Sequence, residues 1–270
     1  MNRFALRFAL AAGLGLIALP VMAQTAPIST KRLPVKDVDF GFDGPFGTYD
    51  RAALQRGFQV YKEVCSACHS LNHIAFHNLD EAGGPGFNEA QAKAIAAGYK
   101  VPADPNDKGE TVDDKGQPLT RPGILADYFP SPFPNEQAAR ANNSGALPPD
   151  LSMIVKARDG GAAYVYSILT GFHQNPPKGF VVTANKYYNP YFEGWNISMP
   201  PPLQDNSVTY SDGTKATVAE EAHDVATFLA WASDPKMEER KRMGLGVMIF
   251  LVVLAGLLFA AYRKVWADAH

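Results

Sequence analysis

Apolar and polar positions alternate in blocks along this chain, and the longest block is near its end. Met243 to Tyr262 is 20 residues without a charge. At 1.5 Å per residue such a helix is about 30 Å long, the thickness of a bilayer core. Arg240-Lys241-Arg242 precede it, Arg263-Lys264 follow it, and Tyr262 and Trp266 suit an interface. A buried core helix of this length would show a polar face, and none is present. Helical spacing of Leu54, Phe58, Tyr61 and Cys65 predicts a first helix over Asp50 to Cys65, with Arg51, Arg56 and Lys62 off the stripe. Asn88 with Gln91 predicts a capped helix to Tyr99. Asp150 is expected to cap a helix to about Asp159, and Ala162 to Leu169 reads as another helix, stopped near Gly171. Thr217 with Glu220 has the spacing of a capping box for a helix to Ser233. Between these lie an extended arm over 24–47 and loop-rich stretches at 101–135 and 173–215. No segment alternates convincingly as a strand, so the fold class is mainly α with long loop insertions.

The start of the chain reads differently. Arg3 and Arg7 precede an apolar run, Phe8 to Leu19, too short to span a bilayer, and Val21-Met22-Ala23 offers a cleavage point. The expected organisation is therefore a signal peptide at 1–23, an exported domain at 24–242, a transmembrane helix at 243–262 and an inner tail at 263–270. Three basic residues lie on the outer flank of the span and two on the inner. The export signal takes precedence over that count, because long domains translocate largely regardless of charge. The exported part holds 21 basic and 26 acidic residues, a net of −5. This charge disfavours nucleic acid as a partner and favours a cationic protein. Asp104, Asp107, Glu110, Asp113 and Asp114 concentrate the acidity in one loop. Its steering of a cationic partner competes with the plainer reading of a solvated surface loop.

The chemistry is concentrated at Cys65-Ser-Ala-Cys68-His69, the spacing of a c-type haem attachment site. Two thiols three residues apart at a helix end can form thioethers to one porphyrin, and the adjacent histidine then faces the iron. These are the only two cysteines in the chain, which excludes a disulfide-stapled scaffold. A thioredoxin-like pair would follow a strand in a βαβ unit, whereas a helix precedes this one. A zinc site would want more ligands at wider spacing. His73 and His77, at helical spacing after His69, are read as surface or supporting residues.

Thioether sulfur raises a haem's potential and suits electron transfer. Of seven methionines, Met1 and Met22 fall in the signal, Met243 and Met248 in the span, and Met237 in a charged stretch beside it. Met153 and Met199 remain. Met153 falls inside an expected helix, where packing is the default. Met199 stands in a loop before Pro200-Pro201-Pro202, which stiffen the backbone. It is the better axial candidate, with His173 and His223 as rivals if two histidines bind the iron.

Arg56-Gly-Phe-Gln-Val-Tyr-Lys-Glu-Val-Cys-Ser-Ala-Cys-His-Ser70, Arg140-Ala-Asn-Asn-Ser-Gly-Ala-Leu-Pro-Pro-Asp-Leu-Ser152, Tyr188-Asn-Pro-Tyr-Phe192, Ile197-Ser-Met-Pro-Pro-Pro202 and Asp212-Gly-Thr-Lys-Ala-Thr217 together resemble the cytochrome c1 family. The Phe228-Leu-Ala-Trp helix and Arg240-Lys-Arg-Met-Gly-Leu245 continue the likeness, which runs over about 36–266. The resemblance implies a cytochrome c-like haem domain with one covalent haem c on Cys65 and Cys68. It implies His69 and Met199 as axial ligands and Arg140 as the partner of a haem propionate. It also implies one-electron transfer within a quinol–cytochrome c reductase (bc1) complex. The Rieske iron–sulfur protein would be the donor, soluble cytochrome c the acceptor and cytochrome b the membrane neighbour. With the export signal, it places the domain on the periplasmic side of a bacterial inner membrane. Some bacterial members carry a further cysteine pair, which this chain lacks. A free-standing tethered cytochrome and a haem peroxidase are the competing readings; the long insertions tell against the first, and the second needs an open or displaceable sixth site.

Overall fold

The computed structural model describes residues 29–267, so the expected signal peptide at 1–23 lies outside the described residues. The elements are helical with two minimal β-pairs. Helix α1 spans Arg51–Glu63, α2 Glu89–Ala97, α3 Glu136–Asn142, α4 Gly161–Gly171, α5 Val218–Ser233 and α6 Met237–Val265. Strands β1 (Lys100–Pro102) and β2 (Thr120–Pro122) pair antiparallel, as do β3 (Tyr187–Tyr188) and β4 (Asn196–Ile197). No alternation announces pairs this short, and the prolines at the ends of β1 and β2 suit strands with free edges.

Local capping explains most helix starts. The Asp50 carboxylate accepts from the backbone N–H groups of Ala52 and Ala53. Asn88 and Gln91 form a reciprocal capping box at α2. At α5 the Thr217 hydroxyl accepts from the Glu220 N–H, but the Glu220 carboxylate turns instead to Arg56, 3.3 Å away. Only half of the expected box forms there. Helix α3, capped by Asn135, was not foreseen. The helix expected from Asp150 to Asp159 is absent: the segment is a run of turns. Gly160 and Gly161 adopt φ of +93° and +53°, which separates these turns from α4. A side chain at Gly160 would also strike Val35 of the arm at 2.7 Å.

The core sits where α1 crosses α5. Phe58, Tyr61, Phe76, Phe129, Phe228 and Trp231 pack there, each 4% exposed or less. Gly57 sets the crossing distance, since a Cβ there would lie 2.0 Å from the Asp224 carbonyl. Beside it Arg56 grips Asp224 through Nε (2.7 Å) and Nη2 (2.9 Å) and reaches Asp212 at 3.1 Å. Asp224 is fully buried, so this bidentate pair compensates a charge held away from water. The arm straps the opposite side: Leu33 N–H donates to Pro190 O and Lys36 N–H to the Ser167 hydroxyl, each at 2.8 Å.

Helix α6 begins inside the domain. Met237, expected in a charged stretch, is buried in the core, and Glu238 pairs with Arg51 at 2.6 Å. Beyond Met243 the helix is exposed and apolar, with a mean hydropathy of 2.7 over its most apolar window. It is long and apolar enough to cross a membrane once, as the notional span at 243–262 requires.

Candidate functional site

Helix α1 ends where Val64 N–H donates to Val60 O, and the chain tightens into a 3-10 turn at Cys65–Ala67. Cys68 and His69 N–H groups both donate to Cys65 O, at 3.1 and 2.9 Å. Cys65 and Cys68 stand at the two ends of this turn, near enough for Cys68 to act on the Cys65 thiol. Neither cysteine is in a disulfide. Burial, with Cys68 adding to it, pushes the Cys65 thiol up to about 12. A thiol held protonated is unlike the low-pKa nucleophile of a dithiol oxidoreductase.

The His69 ring is oriented by the segment 149–152. Its Nδ1 lies 2.8 Å from Pro149 O. A carbonyl only accepts, so Nδ1 carries the proton and Nε2 keeps its lone pair, with no hydrogen-bond partner among the described residues. Burial lowers the ring's pKa against the opposing pull of that carbonyl and of Asp150, which favours the neutral, ligating form. This is how proteins aim a metal-binding imidazole.

Asp150 holds the Pro149 carbonyl in place. Its Oδ2 accepts from the Ser70 hydroxyl (2.7 Å) and Asn72 N–H (2.9 Å), and its Oδ1 from Ser152 N–H (2.8 Å). Leu151 N–H donates to Ser70 O at 2.9 Å. Ser152 carries the brace further, accepting from His73 N–H at 3.1 Å and, through its carbonyl, from Ser233 Oγ at 3.0 Å. Burial alone would raise the Asp150 carboxyl; the bonds from Asn72, Ser152 and Ser70 outweigh it and hold it below the usual 3.8. Reading the chain linearly makes Asp150 only a helix cap and misses this role. Replacing it with Asn should cost roughly 2 kcal/mol, since charge-assisted bonds are lost and an amide N–H faces donors. The melting temperature should fall by roughly 4–8 °C, and an unchanged value would contradict the assignment. Because the folded pKa is depressed, the stabilisation is present above 3.8 and lost as pH falls through the folded value. The two proteins should therefore converge in strong acid.

Met199 follows β4 and is locked by the prolines before fully buried Leu203. It is half-buried and packs against the main core, which Cys65 also joins, and against the smaller cluster of Ile168, Tyr191 and Ile197. Met153 is 44% exposed in a turn rather than inside a helix. His173 is exposed. The His223 ring is stacked on Phe40 at 4.9 Å, with Nε2 directed at Asp39 O. The donor set thus fits a haem: two thiols at the ends of one turn, a neutral imidazole with a free Nε2 and a half-buried thioether on the same core. Arg140 stands exposed in the last turn of α3, with Nη1 donating to Gly145 O at 3.2 Å. It pairs with no carboxylate among the described residues.

His73 and His77 are exposed, and His77 lies 3.3 Å from Glu81. No three His, Cys, Asp or Glu side chains converge as a metal site among the described residues. The acidic loop is exposed and ordered by its own turns: Asp113 Oδ1 accepts from the Lys115 and Gln117 N–H groups. Lys108 and Lys115 offset part of its charge.

Residues 40–269 match the Cytochrome C1 family. "Cytochrome c1" of Rhodospirillum rubrum is 46% identical over 245 residues, 85% of this chain and 86% of that protein. The mitochondrial "Cytochrome c1, heme protein" of Kluyveromyces lactis is 48% identical, over 84% of this chain and 74% of its own. "Cytochrome b/c1" of Bradyrhizobium diazoefficiens is 51% identical over 86% of this chain, which spans only 35% of that longer protein.

Proposed function

The chain belongs to the cytochrome C1 family, and from that premise we propose that it is the haem-bearing electron-transfer subunit of a bc1 complex. Cys65 and Cys68 would hold the group as thioethers, His69 Nε2 and Met199 sulfur would bind its iron, and Arg140 would pair with a propionate. When bound, haem c supplies a one-electron ferric–ferrous couple. The observation that carries the reading is the Nδ1–H to Pro149 bond, which aims a neutral Nε2 from the residue next to Cys68. Pro149, Asp150 and Ser152 keep that ring from rotating, and the core beneath Cys65 keeps the turn from moving, so little rearrangement accompanies a change of charge. Guanidinium at position 140 would neutralise a carboxylate bidentately. A peptide carrying Cys65 to His69, released by proteolysis, should be heavier by one haem; an unmodified dithiol peptide would overturn the assignment.

Under this reading the Rieske protein delivers the electron, soluble cytochrome c removes it and cytochrome b is the neighbour of α6. The domain would stand on the periplasmic side of a bacterial inner membrane, exported by residues 1–23. The half-buried seat of Met199 against two clusters supports a carrier over a peroxidase, which needs an open sixth site.

Exposed Asp104, Asp107, Glu110, Asp113 and Asp114 supply a field that would draw in a cationic cytochrome c. Changing all five to their amides should lower the association rate at low salt by about tenfold or more and flatten its salt dependence. An unchanged rate and slope in stopped-flow mixing would leave the loop without a steering role.

A further inference from the structure

Phe46 is 77% exposed in the turn at Gly44–Phe46, although Phe40 and Tyr49 on either side are buried. The loop carrying this turn is tied to the first turns of α6. Lys241 Nζ donates to Phe42 O (2.7 Å) and Gly47 O (3.0 Å), and Tyr49 N–H donates to Glu238 Oε1 at 2.8 Å. Arg51 takes the other oxygen of Glu238 at 2.6 Å. The ring is thus held at the height where α6 leaves the domain. Phe46, Arg242 and Leu245 line one open cleft of about 480 Å³. Arg242 has no carboxylate partner among the described residues, and Leu245 opens the exposed apolar face that continues down the helix.

We propose that this turn is a second membrane contact: Phe46 seats at the headgroup–acyl boundary beside Leu245, with Arg242 at the level of the lipid phosphates. A phospholipid surface is the occupant because the patch is continuous with the membrane-crossing face of α6. It also joins an apolar ring to an unpaired cation, the pattern of interfacial segments. The domain then rests on the bilayer at two points, and the bonds from Lys241 and Glu238 set its tilt. The proposal rests on α6 spanning a bilayer.

The test uses the full chain in its membrane complex, reconstituted into discs of phosphatidylcholine and phosphatidylglycerol. A nitroxide is placed through Phe46→Cys, with Val252→Cys in mid-span and Val181→Cys, 82% exposed on the domain, as references. The unsubstituted chain, whose two cysteines carry the haem under the reading above, serves as the blank. The label at 46 should favour collision with oxygen over a water-soluble nickel chelate several-fold more than the label at 181, and less than the label at 252. A ratio at 46 equal to that at 181 overturns the proposal, and so does shielding from both reagents, which would mean that another subunit covers the turn. A label at 252 that does not favour oxygen overturns the spanning reading and the proposal with it.

Discussion

Leucine at position 199 is expected to leave the protein folded and to lower the potential of its haem by a few hundred millivolts, within the roughly 0.8 V span that axial ligands command. Leucine nearly matches methionine in volume, so packing against the two clusters costs less than about 1.5 kcal/mol. What is lost is the thioether sulfur, which favours the ferrous state. Met153→Leu is the control: at 44% exposed, and outside both clusters against which Met199 packs, it should leave the potential unchanged. A redox titration of both variants decides the point. A potential unmoved by Met199→Leu would exclude Met199 as a ligand and return attention to His173 and His223, or to a peroxidase-like site.

Arg56→Met should destabilise the fold by about 3–5 kcal/mol, because it strands the fully buried Asp224 carboxylate. For a domain of this size the melting temperature falls on the order of 10 °C. Arg56→Met combined with Asp224→Leu should recover most of that loss, since an apolar pair replaces an ion pair of similar volume. Burial already raises the Asp224 carboxyl above 3.8 against the pull of Arg56. Without the guanidinium it rises further, so the single variant's deficit is greatest above the raised pKa. It shrinks as pH falls and the carboxyl takes up a proton. A double variant no more stable than the single one would show that Arg56 acts through Asp212 and Glu220 instead.

The parts of this structure that were legible along the chain are those decided by near neighbours. Asp50, Asn88 and Thr217 cap the helices that follow them, and the uncharged stretch from Met243 needs nothing beyond its own length. The thiol–histidine spacing at 65–69 and the methionine set before three prolines are likewise read from near neighbours, and they are the haem ligands proposed above. What stayed hidden depends on partners distant in sequence. Glu220 has the right position for a capping box, yet Arg56 on α1 takes its carboxylate. Asp150 looks like a helix cap, but its oxygens go to Ser70 and Asn72, and the glycines at 160 and 161 divide the segment that follows. Met237 sits among charges and is nonetheless buried, because α6 starts within the domain. The orienting role of Pro149 is a backbone property, which a side-chain motif does not announce.

A reduced-minus-oxidised visible spectrum of the tagged full-length protein, purified from its membrane in mild detergent, tests most directly whether this chain is a haem-bearing subunit of a bc1 complex. A c-type haem band should co-purify with b-type bands, as a subunit of a bc1 complex requires. A c-type band with no b-type partner would contradict it and leave an independent membrane-tethered carrier in its place.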